Sequence, residues 1–546
     1  MRLKKYSVLA LMLGMIVFFM QAVKIEEDNL KSYLVQGDKF QVVSEKVQAL
    51  GAHITHELNI INGVNATLTE QQVMELEKMG FSIFEDATLE TASFTLPTSN
   101  TGSGNLFTSF SGLTHASNLH LEGITGTGVT VAVLDTGIFS DKRIIEDTAG
   151  NPRLLAHYNA IADQNLSLTR TSDENGHGSH ITGIIANTSL NGSNANSIAP
   201  DANLVSVKAF DRNGRGTYAD VIRGIQWVVE NRESLGIRVL NLSFSAPPRS
   251  LYWDDPLNKA VMTAWKEGIV VVASSGNTGP EPMTIGVPGN VPYIITVGAM
   301  TDNYTPADLT DDYLTTFSSV GPTVEGFVKP ELIAPGGHVR SIMDRKAQLA
   351  QDHPEFKEPG NYFQMSGTSQ STAVVSGVVA LILQADPTLT PDDVKCRLLS
   401  SARPALYSDD TPAYSIFQQG AGMVNAYAAV HNPATGCANR NMDIQAELDG
   451  VNHYIGNANR DEDGNYYIMG HEGYQWNGEY ESDNPLEGSG FLWGDGFLWG
   501  DGFLWGDGFL WGDGFLWGDS WLQGDDPNWN LNLSETAAIN IWVEQE

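Results

Sequence analysis

The strongest constraint on the fold is a recurring alternation. From Gly128 onward, short apolar runs near Val129–Leu134, Leu204–Ala209, Val239–Ser243, Ile269–Ser274 and Tyr293–Val297 alternate with helical runs at His180–Ala186, Tyr218–Asn231, Pro256–Glu267 and Gln370–Gln384. Runs that are apolar throughout suit strands buried on both faces, and the helices between them supply the crossovers that parallel strands need. The expected class is α/β, a parallel sheet with helices on both faces. Open sheets of this kind gather reactive groups where strands end and helices begin.

Four such places carry chemistry. VLDTGI, Val133 to Ile138, sets Asp135 at the carboxyl end of the first strand. NGHGSHITG, Asn175 to Gly183, holds His177 between glycines ahead of an apolar helix. VVVASSGN, Val270 to Asn277, ends a third strand on Asn277. MSGTSQSTAVVSG, Met365 to Gly377, places Ser369 among small residues where a further helix starts. Singly, each has an ordinary explanation as a turn, a structural histidine, a loop residue or a helix cap. Together they supply a hydroxyl near free N–H groups, a base, a carboxylate to orient it and a second oxyanion donor.

In the order Asp, His, Ser, these segments closely resemble the subtilisin-like serine peptidases over about Leu113 to Asn432. The resemblance implies that Ser369 is the nucleophile and His177 the general base, then acid. It implies that Asp135 fixes the imidazole tautomer, and that the Asn277 amide and the Ser369 N–H hold the oxyanion. His180, in the same motif as His177, reads as a structural histidine. The activity implied is that of a serine endopeptidase on protein or peptide substrates, with no cofactor required for the chemistry. Gln370 stands where the family usually has methionine, and Ala373 where proline is common; neither change removes a catalytic group. The rival reading is a catalytically silent surface-adhesive or binding protein whose C-terminal repeats carry the function.

NLSFSAPP, Asn241 to Pro248, resembles the family strand that lines the specificity cleft. Ser243, Phe244 and Ser245 are expected to pair with substrate backbone as an added strand, with Ser275 and Gly276 as the facing wall. Small walls without fixed charge favour an apolar or unselective P1 side chain. Many relatives bind structural calcium, but the loop Asn187 to Ile198 has asparagines and no carboxylate, so the metal ligands are unknown. Asp141, Asp302, Asp311 and Asp312 are candidate oxygen ligands; surface turns explain them equally well.

The flanks have other characters. Arg2, Lys4 and Lys5 precede an apolar run from Val8 to Met20, and residues 1–22 read as a secretory signal, with export as the consequence. Residues 32–90 show a βαββαβ order that suits a small ferredoxin-like α+β unit, similar to the inhibitory propeptides of the family. Residues 91–112 are a Ser-, Thr-, Gly- and Asn-rich linker and processing region, and 113–435 the peptidase domain. Residues 436–546 form an acidic extension with five GFLWGD copies at 490–519. From Arg440 to Glu546 there are 21 acidic residues against 2 basic, over half of a net charge of −34 that argues against nucleic acid as a partner. The regularly spaced Trp493, Trp499, Trp505, Trp511 and Trp517 suggest contact with a cell envelope or glycan, or a sticky low-complexity tail. Cys396 and Cys437 admit one pairing, which export favours.

Overall fold

The structure is a computed structural model that describes residues 30–90, 108–169, 171–191, 194–305, 309, 311–407, 411–471, 474–480, 492–493 and 521–522. The expected signal at 1–22, most of the linker and nearly all of the repeats lie outside these residues. The chain divides into two compact units, Met1–Ala87 and Thr88–Glu546.

The first unit is a four-stranded antiparallel sheet with two helices. Its strands, Lys31–Gln36, His53–Leu58, Gly63–Leu68 and Ser82–Glu85, lie in the spatial order second, third, first, fourth. This is the order of a ferredoxin-like fold. The Asn62-Gly63 turn joins two of the strands, with Asn62 in the left-handed region at φ 52°. Thr69 caps the helix Glu70–Lys78 and exchanges side-chain bonds with Gln72. Val35, Val43, Val47, Val64, Leu68 and Leu76 close the core.

The second unit is built on a nine-stranded sheet. In spatial order its main path runs Tyr313–Leu314, Ile295–Thr301, Val270–Ser274, Ile237–Leu242, Thr130–Asp135, Asn203–Lys208, Leu154–Asn159 and Gln164–Asn165; Leu332–Pro335 also pairs with Ile295–Thr301. All the long pairs are parallel. The sheet is mixed only at its edges, where two-residue strands, Tyr313–Leu314 and Gln164–Asn165, turn back antiparallel. Very short edge strands leave little unpaired backbone for another chain to add to.

Helices Tyr218–Leu235 and Pro256–Lys266 pack together against the sheet, and His177–Ala186 and Thr368–Ala385 form a second such pair. The Ser369 helix is apolar nearly all round, and Thr368 to Leu383 are buried. Such a helix belongs in a core rather than on a surface.

Two boundaries differ from expectation. Thr88–Glu90, placed with the first unit by sequence, instead runs antiparallel along Arg215–Thr217 within the second. The packing of the second unit also continues past residue 435. Cys396 and Cys437 are disulfide-bonded, with Cα atoms 5.3 Å apart. Glu447 is buried and accepts from the hydroxyls of Tyr252 and Tyr293. Gly456 and Ala458 donate to the carbonyls of Glu325 and Gly326. Trp476 is buried beside Phe417, ring centroids 6.1 Å apart. The composition shift near Gly436 thus marks a change of charge, and apolar side chains beyond it still belong to the core.

Candidate active site

Parallel packing brings the ends of three strands together. Lys208 ends its strand in register with Asp135, the last residue of the neighbouring strand. The Asp135 carboxylate is 2 % exposed and faces His177, the first residue of its helix; His177 Nδ1 lies 2.8 and 2.9 Å from the two oxygens. Asp135 also accepts from the N–H of Thr136 at 2.7 Å. The close approach requires Gly178: a Cβ there would stand 2.4 Å from the Gly137 carbonyl oxygen.

Burial by itself would lower the His177 pKa. The charge and hydrogen bond of Asp135 outweigh it, Asp173 adds to them, and the net shift is upward. With Nδ1 facing a carboxylate, the neutral ring carries its proton there and presents Nε2 as the base. His180, one turn on, differs. It bonds the Phe363 carbonyl at 3.1 Å, and burial together with the neighbouring His177 holds its pKa at about 3. It is the structural histidine that the sequence suggested.

Ser369 is the second residue of its helix, so its main-chain N–H has no partner within the helix. Its hydroxyl donates to the Ser243 carbonyl at 3.0 Å. Asn277 Oδ1 accepts from the N–H and hydroxyl of Thr368, at 3.0 and 2.8 Å. These two bonds fix which end of the amide is oxygen, and Nδ2 faces Gly367: a Cβ built on that glycine would be 3.3 Å from it. The site thus holds a hydroxyl, an oriented imidazole, a buried carboxylate and two donors at a helix start.

The family model described as the subtilase family matches residues 126–424. The chain belongs to the subtilase family. Serine protease AprX of Bacillus subtilis (strain 168) is 39% identical over 313 residues, 56% of this chain and 67% of that protein. Subtilisin E of the same strain is 30% identical over 403 residues, 73% of this chain and 87% of that one. Among solved structures, fervidolysin from Fervidobacterium pennivorans, a keratinolytic enzyme related to subtilisin, superposes with a TM-score of 0.57 at 22% identity, over 76% of this chain and 63% of its own. That likeness concerns the fold. The sequence relatives are named as proteases, and this subtilase is a serine endopeptidase of their type.

The expected substrate walls are buried beside the site. Phe244 is held by Ser274, whose hydroxyl donates to its carbonyl at 2.7 Å, and its ring packs tilted against Phe210, centroids 5.3 Å apart. Ser275 accepts from the Gly286 N–H and Gly276 from the Ser319 N–H, each at 3.0 Å. The Ser245 hydroxyl fills space against Gly276 and Gly286. The main-chain N–H and C=O of Ser245 have no partner among the described residues.

Sequence reading passed over Asp173. This buried carboxylate accepts from the Thr136 hydroxyl, the Gly176 N–H and both the N–H and hydroxyl of Ser179, all at 2.7–2.8 Å. It ties the Asp135 loop to the His177 helix. Its only local signal is an aspartate a few residues before a helix start, which many loops share.

The calcium candidates have protein partners. Asp141 pairs with Arg143 through both oxygens, Asp302 lies 2.6 Å from His338 Nε2, and Asp311 accepts from Thr305 and Asn303. Asp312 is buried. Among the described residues no three His, Cys, Asp or Glu side chains are grouped so as to hold a metal ion.

Proposed function

We propose that this subtilase is a secreted endopeptidase made as a zymogen, cleaving proteins by acyl transfer to Ser369. The observation that carries the proposal is the His177 imidazole, held at Nδ1 by both Asp135 oxygens and free to act at Nε2. On substrate binding the Ser369 hydroxyl turns from the Ser243 carbonyl toward Nε2. Oγ bonds to the scissile carbonyl carbon as His177 takes its proton. The former carbonyl oxygen becomes an oxyanion, accepting from Asn277 Nδ2 and the Ser369 N–H. His177 then gives the proton to the leaving amine as the C–N bond breaks. A water, deprotonated by the same ring, attacks the acyl-enzyme and restores Ser369. No cofactor enters these steps.

The substrate adds as a strand at Ser243, Phe244 and Ser245, opposite Ser275 and Gly276. Support comes from the unpaired Ser245 backbone groups, which are the bonds an extended peptide would complete. The unit at Lys31–Glu85 is read as an inhibitory propeptide. Thr88–Glu90 already lies as a strand along Arg215–Thr217, a segment that follows the strand ending beside Asp135. Processing then falls between Phe84 and Gly112.

Export rests on the charged and apolar pattern of residues 1–22, and an oxidising destination suits the Cys396–Cys437 bridge. The GFLWGD repeats at 490–519 are assigned to contact with a cell envelope or glycan. The catalytically silent alternative finds no support in relatives named as proteases.

The test is purified Ser369→Ala. It should lose peptide turnover and keep residues 31–85 attached. Normal processing of that variant in a protease-free preparation would remove the zymogen claim and leave the peptidase claim to its own assay.

A further inference from the structure

Arg153 is one of the largest fully buried side chains, 1 % exposed. Its Nε donates to the Ile144 carbonyl at 2.6 Å and Nη2 to the Arg143 carbonyl at 3.0 Å. Nη1 donates to the Pro200 carbonyl, and Nη2 also to that of Ala186. Four main-chain oxygens from three separate segments converge on one cation. Arg143 and Ile144 lie in the short helix Lys142–Ile145 after the Asp135 strand, Ala186 is the last residue of the His177 helix, and Pro200 precedes the strand Asn203–Lys208. The Ala186 oxygen belongs to the negative end of its helix.

Converging carbonyl oxygens are the ligands that hard cations take in proteins. Here a planar guanidinium with five N–H donors meets them instead. Among the described residues no carboxylate bonds it; Asp201 and Asp147 act on it only through space. Burial lowers its pKa to about 10, so it stays charged at neutral pH.

The loop beyond the His177 helix is anchored in the same manner. Asn187 donates to the Tyr362 hydroxyl at 3.3 Å. Arg340 lies over the Tyr362 ring at 3.5 Å and Arg143 at 5.0 Å. Arg143 occupies both oxygens of Asp141 and Arg340 is paired with Glu358. The resemblance to subtilisin-like peptidases implies a structural calcium ion, and this region does not fit one. Asp141 and Glu358 are committed to arginines, Asp147 and Asp201 accept from neighbouring N–H and hydroxyl groups, and the converging carbonyls already hold a positive charge.

We propose that Arg153 is a built-in cation that orders the segments around the His177 helix, in place of a bound divalent metal. The order of this region is then independent of calcium.

The test is hydrogen exchange by mass spectrometry on the full chain carrying Ser369→Ala, which prevents self-digestion. The reporting amides are Asn187, Thr188, Ile198 and Ala199, which donate to Gly183, Arg143, Ile184 and Ile185. In excess EDTA and in millimolar calcium chloride their protection should agree within about threefold. In Arg153→Lys, whose ammonium cannot span four carbonyls, it should fall by more than about threefold in either medium, while Leu381–Leu383 in the Ser369 helix hold theirs. Chelation that lowers protection beyond that limit without the substitution overturns the proposal, as does a lysine variant that stays within it. If the lysine variant does not fold, the chelation comparison alone decides.

Discussion

Ser369 and Ser243 hold each other by two reciprocal bonds: the Ser369 hydroxyl donates to the Ser243 carbonyl, and the Ser243 hydroxyl to the Ser369 carbonyl, each at 3.0 Å. Behind them Asn241 donates to the Ser243 hydroxyl at 2.9 Å and accepts from Ser376 at 2.9 Å. Ser369, the proposed nucleophile, is thus registered against the strand expected to bind substrate. Ser243→Ala removes two buried bonds from this chain, the one to the Ser369 carbonyl and the one from Asn241, each worth about 1 kcal/mol. It should lower kcat by about fivefold to tenfold with the fold retained. Steady-state kinetics on a small peptide check this; an unchanged kcat would show that the chain plays no part in placing Ser369.

The pH dependence follows from His177. Its pKa is raised in the folded protein, against burial, by Asp135 and Asp173. The sign for stability is that of a raised base: the contribution is fully present below the unfolded value of about 6.5 and is lost as pH rises through the higher folded value. Activity needs the opposite, neutral form. The acid limb of kcat/KM should therefore have its midpoint above about 6.5. Asp173→Asn should move that midpoint downward and also reduce stability, since Asp173 holds four donors. A profile read over pH 5 to 9 on both proteins checks the direction, and an upward or absent shift contradicts it.

The acidic extension separates into two parts. Glu447, buried between Tyr252 and Tyr293, ties residues near 447 to the peptidase core. A chain ending after Thr435 should fail to fold or unfold far more easily, whereas one ending after Tyr480 should keep turnover on a small peptide. Glu447→Ala strands two buried hydroxyls and should cost about 3 kcal/mol. Denaturant titration of the single variant and the two truncations measures this. A fully active, equally stable chain ending at residue 435 would contradict it.

Much of this was legible in the residues. The five expected strands and four helices all form, because runs of Val, Ile and Leu between turn residues leave few other ways to bury themselves. The His177 helix starts three residues earlier than its apolar run, since Gly176 and His177 give no hydrophobic signal. The strand LLAHYN at Leu154–Asn159 was missed because its histidine and asparagine break the apolar run. Asp173 and Arg153 were illegible for a common reason. Each is a single charge in a polar loop, and its partners are backbone groups, with the Thr136 and Ser179 hydroxyls in the case of Asp173, brought close only by the fold. The junction at residue 435 was misplaced because the acidic composition concealed Tyr454, Ile468 and Trp476, which are buried.

Oxidation tests the residue beside Ser369. Gln370 is 1 % exposed, with its Oε1 close to Gly367. A methionine here would become a bulky polar sulfoxide in peroxide, and glutamine cannot. Activity should survive peroxide largely intact, and Gln370→Met should become labile. Rapid loss in the unaltered enzyme, with Met343 and Met365 unmodified by mass spectrometry, would contradict this.

Everything proposed for the chemistry depends on Ser369 being a nucleophile activated by His177. The most direct measurement is labelling by a fluorophosphonate probe, followed by peptide mapping. One stoichiometric adduct on Ser369 is expected, absent in Ser369→Ala and slowed by orders of magnitude in His177→Ala. Loss of turnover should be about 10⁶-fold for either variant and about 10²- to 10³-fold for Asn277→Ala, magnitudes established for subtilisin itself. An adduct on another residue, or labelling of Ser369 that is indifferent to His177, would contradict it.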